Sequence, residues 1–342
     1  MAKPRVLLLC GGQSEEHEVS LSSARSVIKA AGDQFDVTSL VIDKSGKLLP
    51  SSASLQALTQ GRSADTKSTL IAVQSLKIQS IDPKAFDVVF PLLHGPYGED
   101  GSIQGMLKLM GLPFVGSDVL ASAVGMDKVM MKTVFAAHHL PQVRFALVNR
   151  KEWQENPERV LEKLNALSFP LFVKPANLGS SVGISKAKNP SELKKALNEA
   201  IKYDRRIIVE EGLNKPRELE VAILGNDDPK ASVVGEITYT SDFYDYETKY
   251  TEGLAELNIP ADISEDLSQE CQHLAIQAFK ALDASGLARV DFFYDGNLYL
   301  NEINTMPGFT VTSMYPKLWE ASGIGYADLI KHLIQLALER SP

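Results

Sequence analysis

Late in the chain, the segments Arg289-Val290-Asp291 and Glu302-Ile303-Asn304 gather the residue types that handle phosphate and metal ions. Side chains alternate across a strand, so Arg289 and Asp291 share one face, and Glu302 and Asn304 share one face of the next strand. Asp295-Gly296 between the apolar runs Ala288 to Tyr294 and Leu298 to Ile303 is a hairpin signal. If the two faces coincide, two carboxylates, an amide oxygen and a guanidinium converge. Hard oxygen ligands with room for water and phosphate oxygens suit Mg²⁺. A cross-strand salt bridge on a solvated face would use the same residues.

Other clusters have chemical content of their own. Lys174-Pro175 precedes Gly179-Ser180-Ser181-Val182-Gly183, and such a loop can lay N–H groups and hydroxyls on phosphate oxygens. It lacks the Walker spacing and would also serve as a flexible turn. Gly11-Gly12-Gln13-Ser14-Glu15-Glu16-His17-Glu18 lacks the dinucleotide fingerprint. Its acids would repel pyrophosphate but could hold an ammonium group, or simply favour a helix start. Phe243 to Tyr250 mixes aromatics and charges, as a loop closing over a site would, and as a packed surface loop also would. Gly308, just after the proposed ligands, could offer a backbone N–H to an oxyanion. The six histidines provide no metal set. His94 ends a strand beside Gly95 and near Glu99, whereas His138-His139 reads as a solvated helix end.

These residues need a scaffold. Arg5 to Cys10 and Phe35 to Ile42 read as strands around a helix from Ser20 to Ala31, a parallel αβ unit with function at the strands' carboxyl ends. Phe86 to Leu93 is a further strand, Leu112 to Val115 a short one, and Pro50 to Gly61 reads as surface elaboration. Glu218 to Leu224 alternates and opens a third, sheet-rich region. At 342 residues the chain is expected to form more than one compact unit, with boundaries giving 1–124, 125–217 and 218–342. A net charge of -8 without a basic block argues against nucleic-acid binding. Two cysteines supply no disulfide framework. Neither a signal peptide nor a membrane-spanning run is legible, so a cytoplasmic protein with no membrane association is expected.

Taken in order, from Gly11 to the helix after Ser313, these segments resemble the D-alanine–D-alanine ligases of the ATP-grasp superfamily. The resemblance implies an α/β fold, α+β in its later domains, with a parallel αβ domain first and ATP held between the central and C-terminal sheets. It implies that Glu16 takes the ammonium of the first D-alanine, with His94 and Glu99 nearby. Lys128, Lys174 and Lys249 would meet the ATP phosphates, with Ser180 and Ser181 in the covering loop and Ser180 bonded to Tyr250. Glu210 and the backbone near Leu213 would contact adenine, and Glu218 the ribose. Asp291, Glu302 and Asn304 would hold Mg²⁺ or Mn²⁺, with two ions expected. Arg289 and the Gly308 N–H would polarise the acyl carbonyl, and Ser313 would meet the second carboxylate.

The implied reaction is ATP-dependent ligation of two D-alanine molecules through an acyl phosphate, by a homodimer, for peptidoglycan precursors. A D-alanyl-D-serine or D-alanyl-D-lactate ligase is the alternative, and Tyr250 after Lys249 favours two amino acids. Glu211, after Glu210, stands where some members carry a lysine over adenine. The segment Ser51 to Pro83 is longer than in compact members.

Overall fold

The computed structural model describes residues 3–32, 34–59, 81–179, 183–239 and 255–340. β1 (Arg5–Gly11) lies between β2 (Asp36–Ile42) and β3 (Val88–Leu92), all parallel. Past Arg5, β1 is buried throughout, as a strand covered on both faces must be. The helix His17–Ala31 connects β1 to β2. It begins three residues earlier than its apolar pattern suggests, because His17 turns inward, its Nδ1 2.7 Å from the Gly12 carbonyl.

Two local expectations are corrected. Ser51–Thr59, read as surface elaboration, is a helix, with Ser54 and Leu58 buried one turn apart. Ser54 Oγ accepts from Val41 N (3.0 Å) and donates to Leu49 O (3.1 Å), contacts that a polar composition conceals. Leu112 to Val115 makes only an isolated parallel bridge, Val89 to Phe114.

β4 (Phe145–Asn149), β5 (Leu171–Pro175), β6 (Ser185–Ala187) and β7 (Arg206–Glu211) form an antiparallel sheet in the order β4-β7-β5-β6. The helices Pro157–Leu164 and Pro190–Tyr203 contribute their apolar faces to its core. Asn189 caps the second of these by accepting from Glu192 N, with Pro190 pre-set for the first turn.

β8 (Arg217–Gly225), β9 (Lys230–Tyr239), β10 (Ala255–Asn258), β11 (Gly286–Tyr294) and β12 (Leu298–Asn304) form a five-stranded antiparallel sheet in the order β10-β9-β8-β11-β12. The helix Glu265–Ala281 packs into a core with Leu219, Val221, Val290 and Ile303. The opposite core joins Ala222 and Leu224 to the helices Met314–Ala321 and Tyr326–Glu339, and continues into Val6, Leu8 and Phe90 of the first sheet. First and last sheets therefore share one hydrophobic core. The helix Val119–Met126 crosses the position expected to end the first unit, and the second expected boundary falls at the start of β8. Among the described residues no helix is long and apolar enough to cross a membrane. Both cysteines are free and buried, and burial pushes the Cys10 thiol up to about 12.

Candidate active site

A cleft of about 1800 Å³ opens where the carboxyl ends of the first sheet meet the two antiparallel sheets. Glu16, His94, Lys128, Lys174, Glu210, Leu213, Glu218, Arg289, Asp291, Glu302, Asn304, Gly308 and Ser313 all line it. Ser180, Ser181, Lys249 and Tyr250, with the Phe243 to Tyr250 loop, lie outside the described residues.

The turn after β1 is locked. Gly11 has φ +89°, and a Cβ there would stand 2.3 Å from Ile42 O, so only glycine fits. Its N–H donates to Ser20 Oγ at 2.7 Å, and Ser20 in turn donates to Leu92 O at the end of β3. Ser14 Oγ donates to His94 O at 2.7 Å. This lattice delivers Glu16: a Cβ on Gly95 would lie 3.5 Å, and one on Gly179 3.7 Å, from its Oε2. The carboxylate thus sits between the loop after β3 and the loop after β5.

His94 is buried, with Nδ1 3.0 Å from Met306 O. A carbonyl only accepts, so Nδ1 carries a proton. Nε2 has no partner among the described residues. Glu99 Oε1 accepts from Gly95 N at 2.8 Å. Burial, and then the neighbouring Glu16 charge, push the Glu99 carboxyl up to about 8.

Lys128 opens the helix Lys128–Ala137, capped by Asp127 accepting from Val129 N (3.1 Å) and Met130 N (3.0 Å). Its Nζ donates to Leu178 O at 2.9 Å and lies 3.5 Å from Glu302 Oε2. Lys174 Nζ is 2.6 Å from Glu210 Oε2, while the buried Lys132 stands 3.3 Å from Glu210 Oε1. Burial opposes Glu210 ionisation, but the two lysines outweigh it and hold the carboxyl down at about 2. The Glu210 carboxylate is therefore committed to lysines. Glu211 also turns aside: its Oε1 accepts from Ser168 N (2.8 Å) and pairs with Arg144 (3.2 Å). Tyr239 donates to Glu218.

The hairpin faces coincide. Asp291 pairs with Glu302 and Arg289 with Asn304 in register, before a bulge between Asp291 and Phe292. Arg289 grips Asp291 through Nε and Nη2, both at 2.7 Å, and its Nε is 3.0 Å from Glu220 Oε2. Asn304 Nδ2 donates to Asp291 Oδ2 at 3.0 Å. Among the described residues no three His, Cys, Asp or Glu side chains cluster as a metal group. Two carboxylates and an amide leave coordination positions for water and phosphate, which suits a hard cation bound together with its nucleotide.

The loop after β12 is braced from three directions. Met306 O meets His94, Phe309 N donates to Ser23 Oγ (3.3 Å), and Tyr326 donates to Phe309 O (2.5 Å). Thr310 N donates to Ser313 Oγ at 3.1 Å, and a Cβ on Gly308 would lie 3.2 Å from that same oxygen. Gly308 and Ser313 are thus neighbours on a rigid support.

Sequence reasoning missed Lys132, Glu220, Ser23 and Tyr326. Lys132 follows Lys128 by one helical turn, and Glu220 shares a strand face with Glu218. Ser23 and Tyr326 carry no local signal.

A parallel αβ domain beside two antiparallel sheets, with lysines, carboxylates and an arginine facing one cleft, defines an ATP-grasp enzyme: an ATP-dependent ligase. Residues 5–117 match the model of the D-ala D-ala ligase N-terminus, and residues 134–335 that of its C-terminus. The chain belongs to the D-alanine–D-alanine ligase family. It is 56% identical to a D-alanine–D-alanine ligase of Deinococcus radiodurans, over 98% of this chain and 99% of the relative. It is 48% identical to one of Geobacillus thermodenitrificans, over 99% and 96%. Among solved structures, the D-alanine-D-alanine ligase of Coxiella burnetii superposes with a TM-score of 0.85 at 36% identity, covering 100% of this chain and 95% of that one. The VanG D-Ala:D-Ser ligase of Enterococcus faecalis gives 0.84 at 32% identity, covering 98% and 100%.

Proposed function

We propose that the cleft activates one D-alanine with ATP and joins it to a second, yielding D-alanyl-D-alanine for peptidoglycan precursors in the cytoplasm. The single observation that carries this reading is the convergence of Glu16, Lys174, Arg289, Asp291, Glu302 and Gly308, carried by strands of three sheets or the loops after them, on one cleft. The units 1–124, 125–217 and 218–342 then serve, in turn, the first substrate, the nucleotide, and the metal with the acyl group.

Glu16 receives the ammonium of the first D-alanine, and His94 lies near the same substrate. Lys128 and Lys174 meet the phosphates, a role the family resemblance also gives to Lys249, Ser180 and Ser181. Glu210, whose carboxylate is held by Lys174 and Lys132, and the backbone near Leu213 contact adenine. Glu218 meets the ribose. Asp291, Glu302 and Asn304 would hold one or two Mg²⁺ or Mn²⁺ ions, whose contribution is to neutralise phosphate charge.

A carboxylate oxygen of the first D-alanine attacks the γ-phosphorus and ADP departs, leaving an acyl phosphate. Here the residues position and neutralise rather than react. The amine of the second D-alanine, its carboxylate on Ser313 and its ammonium proton already lost, then attacks the acyl carbon; the nitrogen gives up a further proton as the C–O bond to inorganic phosphate breaks. Arg289 and the Gly308 N–H stabilise the oxyanion between these events, a contact worth about 3–4 kcal/mol per donor in other enzymes. Tyr250, assigned to the second-substrate side by the family resemblance, favours an amino acid there. The functional unit is a homodimer.

A D-serine acceptor is the second reading, since a D-Ala:D-Ser ligase shares the fold at 32% identity. Phosphate release from Mg·ATP with D-alanine alone, and with D-alanine plus D-serine, D-lactate or L-alanine, separates these. D-alanine alone should support turnover and yield the dipeptide. Turnover only on adding D-serine or D-lactate would overturn the acceptor assignment.

A further inference from the structure

Lys132 does not line the cleft, yet it is the most deeply buried cation beside it, with 1% of its surface exposed. It lies one helical turn beyond Lys128, its Nζ 5.9 Å from the Phe145 ring centroid and 3.3 Å from Glu210 Oε1. Among the described residues Nζ makes no well-directed hydrogen bond. Lys174 occupies the other oxygen of the same carboxylate, and only Lys174 of the two lysines reaches the cleft. The group therefore holds two lysine nitrogens against the two oxygens of one carboxylate.

That arrangement has a consequence for nucleotide binding. If Lys174 were the sole partner of Glu210, moving its ammonium onto a phosphate would strand a carboxylate that is 2% exposed. An uncompensated buried charge is costly, and the cost would be subtracted from ATP affinity. Lys132 removes it by staying on Glu210. Burial lowers the Lys132 pKa, and the Glu210 charge opposes that fall. We propose that Lys132 is a positioning residue for the nucleotide: it neutralises Glu210 and so releases the Lys174 ammonium to serve the ATP phosphates. The proposal rests on the reading of Lys174 as a phosphate ligand.

The test is a charge cycle. Lys132→Met leaves Glu210 and Lys174 as a closed pair. It should raise the KM for ATP, and the Kd for the nonhydrolysable analogue AMP-PNP with Mg²⁺, by about tenfold or more, each tenfold being 1.4 kcal/mol. The KM for D-alanine should stay within about twofold, since Lys132 has no contact with that end of the cleft. Glu210→Gln serves as the second reference: with the carboxylate gone Lys174 is unopposed, so adding Lys132→Met to it should change both constants by no more than about threefold. A simple buried ion pair, important only for stability, would lower the melting midpoint of Lys132→Met without a loss of ATP affinity that depends on Glu210. If Lys132→Met does not fold, the neutral double variant still decides, because a tenfold loss of AMP-PNP affinity relative to Glu210→Gln, about 1.4 kcal/mol, overturns the proposal. Lys174→Ala keeps the two readings apart. Unchanged ATP affinity in Lys174→Ala sinks the phosphate assignment itself. Weakened affinity there, with none lost in Lys132→Met, sinks the role of Lys132 alone.

Discussion

Tyr326→Phe isolates the support of the proposed oxyanion donor. The phenol donates to Phe309 O at 2.5 Å, one residue beyond Gly308, from a helix at the far end of the chain. Burial raises the Tyr326 pKa, so the hydroxyl stays protonated and remains a donor. The substitution spares the ring, whose centroid lies 5.5 Å from that of the fully buried Phe309. It leaves a buried carbonyl without its donor, a loss of about 1–3 kcal/mol. If that loss fell on stability alone, the melting midpoint would drop and turnover would hold. The carbonyl belongs to the peptide segment that aims the Gly308 N–H, however, and a shift of about 1 Å in such a group can cost 10²-fold in rate. Phe309 N, still on Ser23, and its packing against Phe90 and Tyr315 limit that shift. The expected outcome is a fall in kcat of about tenfold with the KM for ATP unchanged, as befits an interaction made only in the transition state. ADP release and dipeptide should be quantified together at saturating substrates. A kcat within about twofold of the parent, despite a lowered midpoint, would refute the claim that this hydroxyl positions the donor.

Three further predictions concern the site itself. Arg289→Lys keeps a cation near Asp291 and Glu220 but loses the planar fork, so turnover should fall by about 10²-fold while ATP binding persists; a kcat near the parent's would remove the oxyanion role. Glu302→Ala should abolish ligation by weakening Mg·ATP binding while circular dichroism stays that of the parent, and normal turnover would exclude Glu302 as a metal ligand. Glu99, pushed up to about 8 from an ordinary 4.5, keeps in the folded chain a proton that the unfolded chain releases. Its contribution to stability is present below the lower value and lost as the pH rises through the higher one. Glu99→Gln should flatten the decline of the substrate-free melting midpoint across that interval, and parallel declines in variant and parent would contradict the assignment.

How much of this was legible depends on the range of the interactions involved. The hairpin bearing Arg289, Asp291, Glu302 and Asn304 was readable because a period of two and a short Asp-Gly turn fix faces and register locally. The bulge after Asp291 was not: β11 runs unbroken against β8, while its partner on β12 jumps from Glu302 to Leu300. Lys174 was singled out by the Gly/Ser loop that follows it, whereas Lys128 was identified only by resemblance, and nothing in its immediate neighbours distinguishes it from a solvated lysine. Lys132 shows why: its helical spacing is visible, but its burial depends on β7 bringing Glu210 beneath it. The brace around Gly308 draws on Ser23, His94 and Tyr326, which meet only because the first and last sheets share a core. Periodicity therefore reveals which side chains an element can present. The charge balance at Glu210 and the aim of the Gly308 N–H, on which the proposed chemistry depends, are set by contacts between elements distant in the chain. Substitutions at Lys132 and Tyr326 consequently test the tertiary part of the argument, whereas Arg289 and Glu302 test the part a single hairpin already contains.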